Sequence, residues 1–297
     1  MEKLFAIDGN WYLYRAMSTL RSYQPVEEIL PYHFLSMIFR DALRVRSPYI
    51  MIAFDGPSVF RYRIYKDYKA NRRKTSDTEQ NNKSKSFEQK DLMYACLPNV
   101  YNLLSSVGVC YYQPRNYEAD DVLCSIAYKY QKKYNVVIGT GDKDSYQYLT
   151  HNVCLYNSAR KGKDGKSRPE YIRAEDVFKK KGVLPEQMVD YQILLGDKQD
   201  NIPGISEMKP LKVKKILAEF GSVLEWAKRT SEGKNLITRN QDILIRNRKL
   251  VTLTTTCSPP QEIAEWKLPK IKTNNSKLEK SYYEFHNFVW PKAKSLF

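Results

Sequence analysis

The chain has 297 residues, of which 42% are hydrophobic and 13% aromatic, enough apolar surface to bury a sizeable core and to exclude disorder as its main state. Lysine and arginine number 49 against 33 acidic residues, and the resulting +16 favours a polyanionic partner, nucleic acid first, over a neutral metabolite. The 5 cysteines contain no CxxC pair and there are only 3 histidines, which argues against a zinc site and against a disulfide framework.

No apolar run approaches the roughly 18 residues of a membrane span. The charged start Met1-Glu2-Lys3 leads only into a short strand-like run, so the chain reads as soluble and cytoplasmic, without a membrane partner. In chain order, "KLFAI" (3–7) and "YIMIAF" (49–54) read as buried strands, followed by "VGVCYY" (107–112), "NVVIG" (135–139) and "NVCLY" (152–156). Helical patterns fall between them, at 31–46, 61–74, 87–106 and 118–133. Such alternation predicts a doubly wound α/β sheet, mostly parallel and flanked by helices. Residues 75–86, "TSDTEQNNKSKS", contain no apolar side chain and read as a loop or arch. From about 174 the signals become helical with short turns. The expected division is an α/β core over 1–173 with an arch region at about 60–106, a helical part over 174–258, and an extension over 259–297.

The acids fall in a pattern on that sheet. Asp8 follows strand 3–7, Asp55 follows 49–54, Glu118, Asp120 and Asp121 come shortly after 107–112, and Asp142 and Asp144 follow 135–139. In open α/β sheets the loops at the C-terminal strand ends converge on a crevice that binds ligands. Each acid also has an ordinary alternative: Asp8 as a helix cap, Glu118–Asp121 as favourable charge at a helix N-terminus, Asp142 and Asp144 as caps of the next turn. Placing them all at one sheet edge by accident is a much weaker reading. Ionised carboxylates sharing a crevice raise one another's pKa unless a cation offsets them. Oxygen-only ligation suits Mg2+ or Mn2+, and two such ions about 4 Å apart stabilise the attacking and leaving oxygens of an in-line phosphoryl displacement. In "LLGDKQDNIPGI" (194–205), Asp197 and Asp200 are spaced to share one face if locally helical, and would close the site from the helical part. In "FRYRIYKDYKANRR" (60–73), Arg61, Lys69, Arg72 and Arg73 lie in a stretch of helical propensity, with Lys69 and Arg73 four apart, where they would face a scissile phosphate. Tyr68 would stack on a base.

The ordered set "DGN", "FDGPSVFRYRIYKDYKANRR", "EADDVLCSIA", "GTGDKDSYQYL" and "LLGDKQDNIPGI" resembles the 5′-nuclease family. That family comprises flap endonucleases, free-standing bacteriophage 5′→3′ exonucleases and the N-terminal nuclease domain of bacterial DNA polymerase I. The resemblance runs from residue 3 to about 256, and with no polymerase part after it the chain looks like the free-standing form. It implies a PIN-like α/β fold. It implies that Asp8, Asp55, Glu118, Asp120 and Asp121 build a first metal site, and that Asp144, Asp197 and Asp200 serve a second with Asp142. By the same resemblance Lys69 and Arg72 contact the scissile phosphate below an arch containing 75–86, Tyr68 holds the terminal nucleotide, and RNA primers on DNA are a second substrate. "DNIPG" would open a helix-hairpin-helix that grips duplex DNA through backbone amides and a potassium ion. Here Gly204 is kept, but Glu207 and Lys209 stand where the family has glycine, a departure from the geometry that positive φ and close phosphate approach require. Lys209, Lys212, Lys214 and Lys215 still offer charge to a duplex, with a stronger salt dependence.

The implied activity is metal-dependent phosphodiester hydrolysis at 5′ ends or flaps of DNA by a monomer. The aromatic cluster Tyr282, Tyr283, Phe285, Phe288 and Trp290 offers a contact for a replication protein, or a helix packed on the core. Two other classes compete: a non-catalytic protein docking branched DNA, which would not need all nine acids, and a PIN-type ribonuclease, which would need neither the arch-like loop nor the helical part.

Overall fold

Strand β1 (Lys3–Asp8) runs through the middle of the molecule, and its side chains divide strictly by parity. Leu4 and Ala6 enter one apolar cluster while Phe5 and Ile7 enter another on the opposite face. This is the period-two alternation of a strand covered on both sides. The same division holds for β2 (Tyr49–Ala53), where Met51 and Ala53 oppose Ile50 and Ile52, and for β4 (Asn135–Gly139), where Val136 and Ile138 oppose Val137. Full burial of each aliphatic side chain contributes about 1.5–3 kcal/mol. The computed structural model describes residues 1–20, 26–72, 91–159 and 168–268.

With β3 (Tyr111–Tyr112), β5 (Val153–Asn157) and β6 (Glu170–Ile172), the sheet has the order β3-β2-β1-β4-β5-β6. All pairs are parallel except β5 with β6. The chain winds outward from β1 to β3 and then returns to place β4 beside β1. The C-terminal ends of β1 and β4 therefore flank the switch point where such sheets open a crevice.

Helices α1 (Gly9–Thr19), α2 (Val26–Val45) and α4 (Leu97–Val107) cover one face, and α5 (Ala119–Tyr130) covers the other, with α3 (Val59–Ile64) between β2 and the arch region. The helical part comprises α6 (Ala174–Lys181), α7 (Met188–Leu195), α8 (Pro210–Phe220), α9 (Val223–Arg229), α10 (Ser231–Arg239) and α11 (Gln241–Val251). It is no appendage, because Ile193, Leu217, Trp226 and Leu250 continue the α5-side cluster without a break. Between α7 and α8 a short hairpin, β7 (Gly196–Asp197) and β8 (Ile202–Pro203), turns back on itself. Gly196 has φ +73°, and a Cβ on it would lie 2.2 Å from the Ile202 carbonyl oxygen, so only glycine fits there.

Several expectations need correction. The strand expected over 107–112 is reduced to Tyr111–Tyr112, because α4 runs to Val107 and Gly108, at φ +72°, caps it in the left-handed region. Helix 31–46 begins earlier, at Val26, with Glu27 and Glu28 in its first turn where acids are favourable, and it carries Pro31 inside it. No helix fills 61–74: α3 stops at Ile64, Lys69 sits at φ +55°, and a 3₁₀ turn covers Ala70–Arg72. Arg73, the partner expected four residues from Lys69, lies outside the described residues, as do the 75–86 loop and the 282–290 aromatic cluster. Helix α1 and strand β6 were not anticipated. Among the described residues no helix is long and apolar enough to cross a membrane.

Candidate active site

Asp8 ends β1 and caps α1, accepting from the Trp11 amide (2.9 Å) and from the Thr140 hydroxyl (3.0 Å). Asp55, just beyond β2, accepts from the first amide of α5, that of Ala119 (2.9 Å), and its own N–H donates to the Asn10 side chain. Asp142 follows β4 and accepts from the Asp144 amide (2.9 Å), while the Gln192 amide nitrogen, from α7, donates to Asp144 (2.7 Å). Asp197 accepts from the Gln199 amide (2.7 Å) and stands 3.7 Å from the Lys143 ammonium. Glu118, Asp120, Asp142, Asp144, Asp197 and Asp200 line one cleft with Tyr68 and Lys69. The capping roles and the shared site are thus the same geometry, since strand-end aspartates that start helices necessarily face the crevice. Asp197 and Asp200 reach it from a turn, not from a helix face.

Charge in the cleft is strongly unfavourable. Burial, then Asp55, push the Asp8 carboxyl up to about 7; burial, then Asp142 and Asp197, do the same for Asp144. Asp120 is raised well above the usual range by burial and by Asp142, Asp8 and Asp55, and its Oδ1 is buried without a hydrogen-bond partner. An orphaned carboxylate oxygen among like charges, in an all-oxygen donor set, fits a hard divalent cation. Among the described residues no three of these groups stand close enough together to hold a metal ion as placed. The carboxylates face the cleft from separate elements of the sheet edge and of the helical part.

Raised folded-state pKa values also predict a stability profile. Because Asp8 and Asp144 titrate near 7 when folded and near 3.8 when unfolded, the folded state holds extra protons between those limits. Stability in EDTA is therefore expected to be highest at low pH within this window and to fall as pH rises toward 7. Saturating Mg2+ at pH 7.5 is expected to raise Tm by several degrees, as about 100 Kd of a ligand does for a domain of this size. A Tm indifferent to both pH and Mg2+ in differential scanning calorimetry contradicts this account of the cleft.

The basic side of the cleft differs from expectation. Arg61 is 1% exposed and clamps Asp121 with two short bonds (2.6 and 2.8 Å), reaches Glu118 at 3.3 Å and donates to the Leu250 carbonyl. It cannot contact nucleic acid from there. Its partner Asp121 is fully buried and also accepts from the Glu118 and Thr254 amides, which occupies both oxygens and removes it from the set free to hold a metal. Tyr68 is 2% exposed and its hydroxyl lies 3.0 Å from both Glu118 and Asp200, sharing its one proton between them, so it does not present a ring for stacking. Burial, then Glu118 and Asp200, keep that phenol protonated.

Lys69 does enter the cleft. Its ammonium bonds Glu118 and lies 3.9 Å from Asp200, and its amide donates to the Asp200 carbonyl. The left-handed turn at Lys69 is held by Asn71 donating to Lys198 and Asn201 donating to Asp67, so two loops are laced together at the cleft mouth. Burial pushes the Glu118 carboxyl up, but Lys69 and Arg61 outweigh it and hold it at about 2. Arg72 occupies the 3₁₀ turn just after Lys69.

In the hairpin region, a Cβ on Gly204 would come within 2.2 Å of the Leu195 backbone, so packing between α7 and the segment after β8 by itself requires glycine here. Neither Glu207 nor Lys209 takes positive φ, so glycine is not needed at either position. Lys209 and Lys215 are exposed, Lys212 pairs with Glu232 at 2.8 Å, and Lys214 is half-buried. Sequence reasoning missed Thr140, Asn10 and Gln192, which orient Asp8, Asp55 and Asp144. Thr140 could have been found inside "GTGD"; Gln192 carries no local signal because only tertiary packing brings α7 to the site.

Two family models cover the chain: the 5′-3′ exonuclease N-terminal resolvase-like domain over residues 3–182, and the 5′-3′ exonuclease C-terminal SAM fold over 183–274. This chain belongs to the 5′-3′ exonuclease family. It is 33% identical over 231 residues to a 5′-3′ exonuclease of Aquifex aeolicus, spanning 75% of this chain and 71% of that protein. It is 27% identical over 270 residues to DNA polymerase I of Lactococcus lactis, where the match takes 85% of this chain but only 29% of the polymerase. Among solved structures, the bacteriophage T5 D15 flap endonuclease, crystallised with DNA and metal ions, superposes with TM-score 0.69 at 22% identity over 86% of this chain and 91% of that one. The Rad2 catalytic core in complex with DNA matches with TM-score 0.57 at 15% identity over 98% of this chain and 92% of that one. These structures share the fold, and the family places the chain among enzymes that hydrolyse phosphodiesters.

Proposed function

We propose that this family member is a structure-specific 5′ nuclease acting at 5′ ends or flaps of DNA. The observation that carries this reading is the convergence of Asp120, Asp142, Asp144, Asp197 and Asp200 on one cleft entered by Lys69, with Asp8 and Asp55 in electrostatic reach of Asp120. Asp8, Asp55, Asp120 and Asp142 would hold one divalent ion, and Asp142, Asp144, Asp197 and Asp200 the second, Mg2+ or Mn2+ by their oxygen-only donors. When bound, such a pair supplies positive charge to the attacking and leaving oxygens of an in-line displacement.

The protein's own groups do the rest. Thr140, the Ala119 amide and Gln192 fix the carboxylates by hydrogen bonds, so their orientation is set before substrate arrives. Lys69 balances charge growing on the transferred phosphoryl group, and Arg72, three positions on in the sequence, is given the same role from the family resemblance. Glu118 positions the Lys69 ammonium and is itself fixed by Arg61 and Tyr68. Exposed Lys209 and Lys215 on and beside α8 add long-range attraction for a duplex.

The test is cleavage of a 5′-labelled flap, a linear duplex, an RNA–DNA hybrid and a single strand, each with Mg2+, Mn2+ and EDTA. Metal-dependent release of a flap-length fragment is expected, with the single strand cut least. Binding without cleavage under every metal condition sinks the reading in favour of a docking protein, and preference for single-stranded RNA in favour of a ribonuclease.

A further inference from the structure

Three half-buried lysines from three separate elements lie around the C-terminal end of α6 and the turn that carries Tyr146, although lysine is normally a well-solvated residue. Lys143 begins the 3₁₀ turn after Asp142 and lies 3.7 Å from Asp197. Lys181 ends α6; its neighbours Lys179 and Lys180 pair outward with Asp176 and Glu170, whereas the Lys181 ammonium lies 5.7 Å from the centre of the buried Tyr146 ring. Lys214, on α8, lays its stem against Gly182, where a Cβ would come 3.0 Å from its Cδ and 3.2 Å from its Nζ. Gly182 closes α6 at φ +72°, so the absence of a side chain there is what lets Lys214 come alongside Lys181.

Favourable placement at a helix C-terminus explains one lysine at the end of α6, but not the approach of Lys214 from α8 to the same point. Burial lowers the Lys181 pKa, and Lys143 and Lys214 lower it further against the opposing pull of Asp144 and Asp197. Like charges gathered beside a catalytic cleft are stabilised by an anion with several acceptor oxygens.

We propose that Lys143, Lys181 and Lys214 form a phosphodiester-binding site that holds the substrate backbone next to the scissile phosphate, on the side of the cleft facing the helical part. The assignment rests on the nuclease reading above and names two residues, Lys143 and Lys181, with no local sequence signal for such a role. The site receives a backbone phosphate and makes no base contact, so it adds affinity and register without sequence preference. Lys181 and Lys214 provide the grip. Lys143, shared with Asp197, ties that grip to the carboxylates.

The experiment compares wild type with Lys181→Met, Lys214→Met and the double variant, which keep the apolar stems, and with Lys181→Arg and the exposed control Lys179→Met. Steady-state cleavage of a 5′-flap substrate is measured across a salt series, with Tm recorded for each protein. The double variant is expected to raise KM about 10-fold with kcat within about 3-fold, and to reduce the slope of log(kcat/KM) against log[salt] by about 1, as loss of one phosphate contact does. Lys181→Arg and Lys179→Met are expected to keep the wild-type slope and KM. An unchanged KM and slope in a folded double variant overturns the proposal, and so does a fall in kcat at constant KM, which would make the lysines mere counter-ions of the acids. Wild-type cleavage in the same assay separates the two levels: without it the nuclease reading falls, and with it only the lysine site is at stake.

Discussion

Replacing Asp142 by asparagine is expected to lower cleavage by at least about 10³-fold while leaving flap binding within about 2-fold of wild type. Asp142 is the carboxylate that Asp8, Asp120 and Asp144 all feel, so it stands between the two halves of the cleft. Asparagine keeps the volume and the oxygen that caps the Asp144 amide, and the local turn should therefore survive. What is lost is one full negative charge where a divalent ion would be shared. Removing a like charge from a crowded cleft should also leave Tm equal to or above wild type, as expected when a functional site stores unfavourable electrostatics. Single-turnover cleavage and fluorescence anisotropy on one labelled flap, with Tm alongside, check all three outcomes. Retained cleavage in a folded variant contradicts the assignment.

The second large effect concerns stability. Arg61→Met is expected to cost about 3–5 kcal/mol, because it strands the fully buried Asp121 without its bidentate partner. Its Nε bond to the Leu250 carbonyl is lost as well, and with it a direct link between α3 and the end of α11. For a chain of this size the shift should be a Tm lower by ten degrees or so, at about 2–4 °C per kcal/mol. Adding Asp121→Leu to Arg61→Met is expected to restore part of the loss, since removing both partners no longer leaves a buried charge uncompensated. Urea denaturation of the four proteins in this cycle gives the coupling directly. A coupling energy near zero means that the pair is not what binds the arch base to the core.

The residues that were legible in the sequence are those whose physics is local. Apolar runs such as 3–7 and 135–139 are too short and too uniformly hydrophobic to be anything but buried strands, and acids placed just beyond them must lie at the sheet edge. Asp8 shows why a cap and a site residue are not competing readings: the same carboxylate accepts the Trp11 amide and has its pKa raised by burial and by the charges of Asp55 and Asp142. The illegible part depends on partners distant in sequence. Arg61 and Tyr68 read as basic and aromatic contacts for nucleic acid, and nothing near them in the chain announces that Asp121, Leu250, Glu118 and Asp200 bury them. Helical propensity over 61–74 was overridden in the same way, by the hydrogen bonds that lock Lys69 and Asn71 onto the 198–201 turn. Strand β6 escaped notice because three residues pairing antiparallel at an edge carry too little pattern to be distinguished from a loop.

The most direct test of the central claim is to count divalent ions at the cleft, by titrating the full chain with Mn2+ under electron paramagnetic resonance beside Asp142→Asn. The account predicts two Mn2+ per wild-type chain, close enough for their spins to couple at about 4 Å, with the coupling lost in the variant together with cleavage. Uncoupled or absent Mn2+ in a wild-type protein that still cleaves flaps would contradict it.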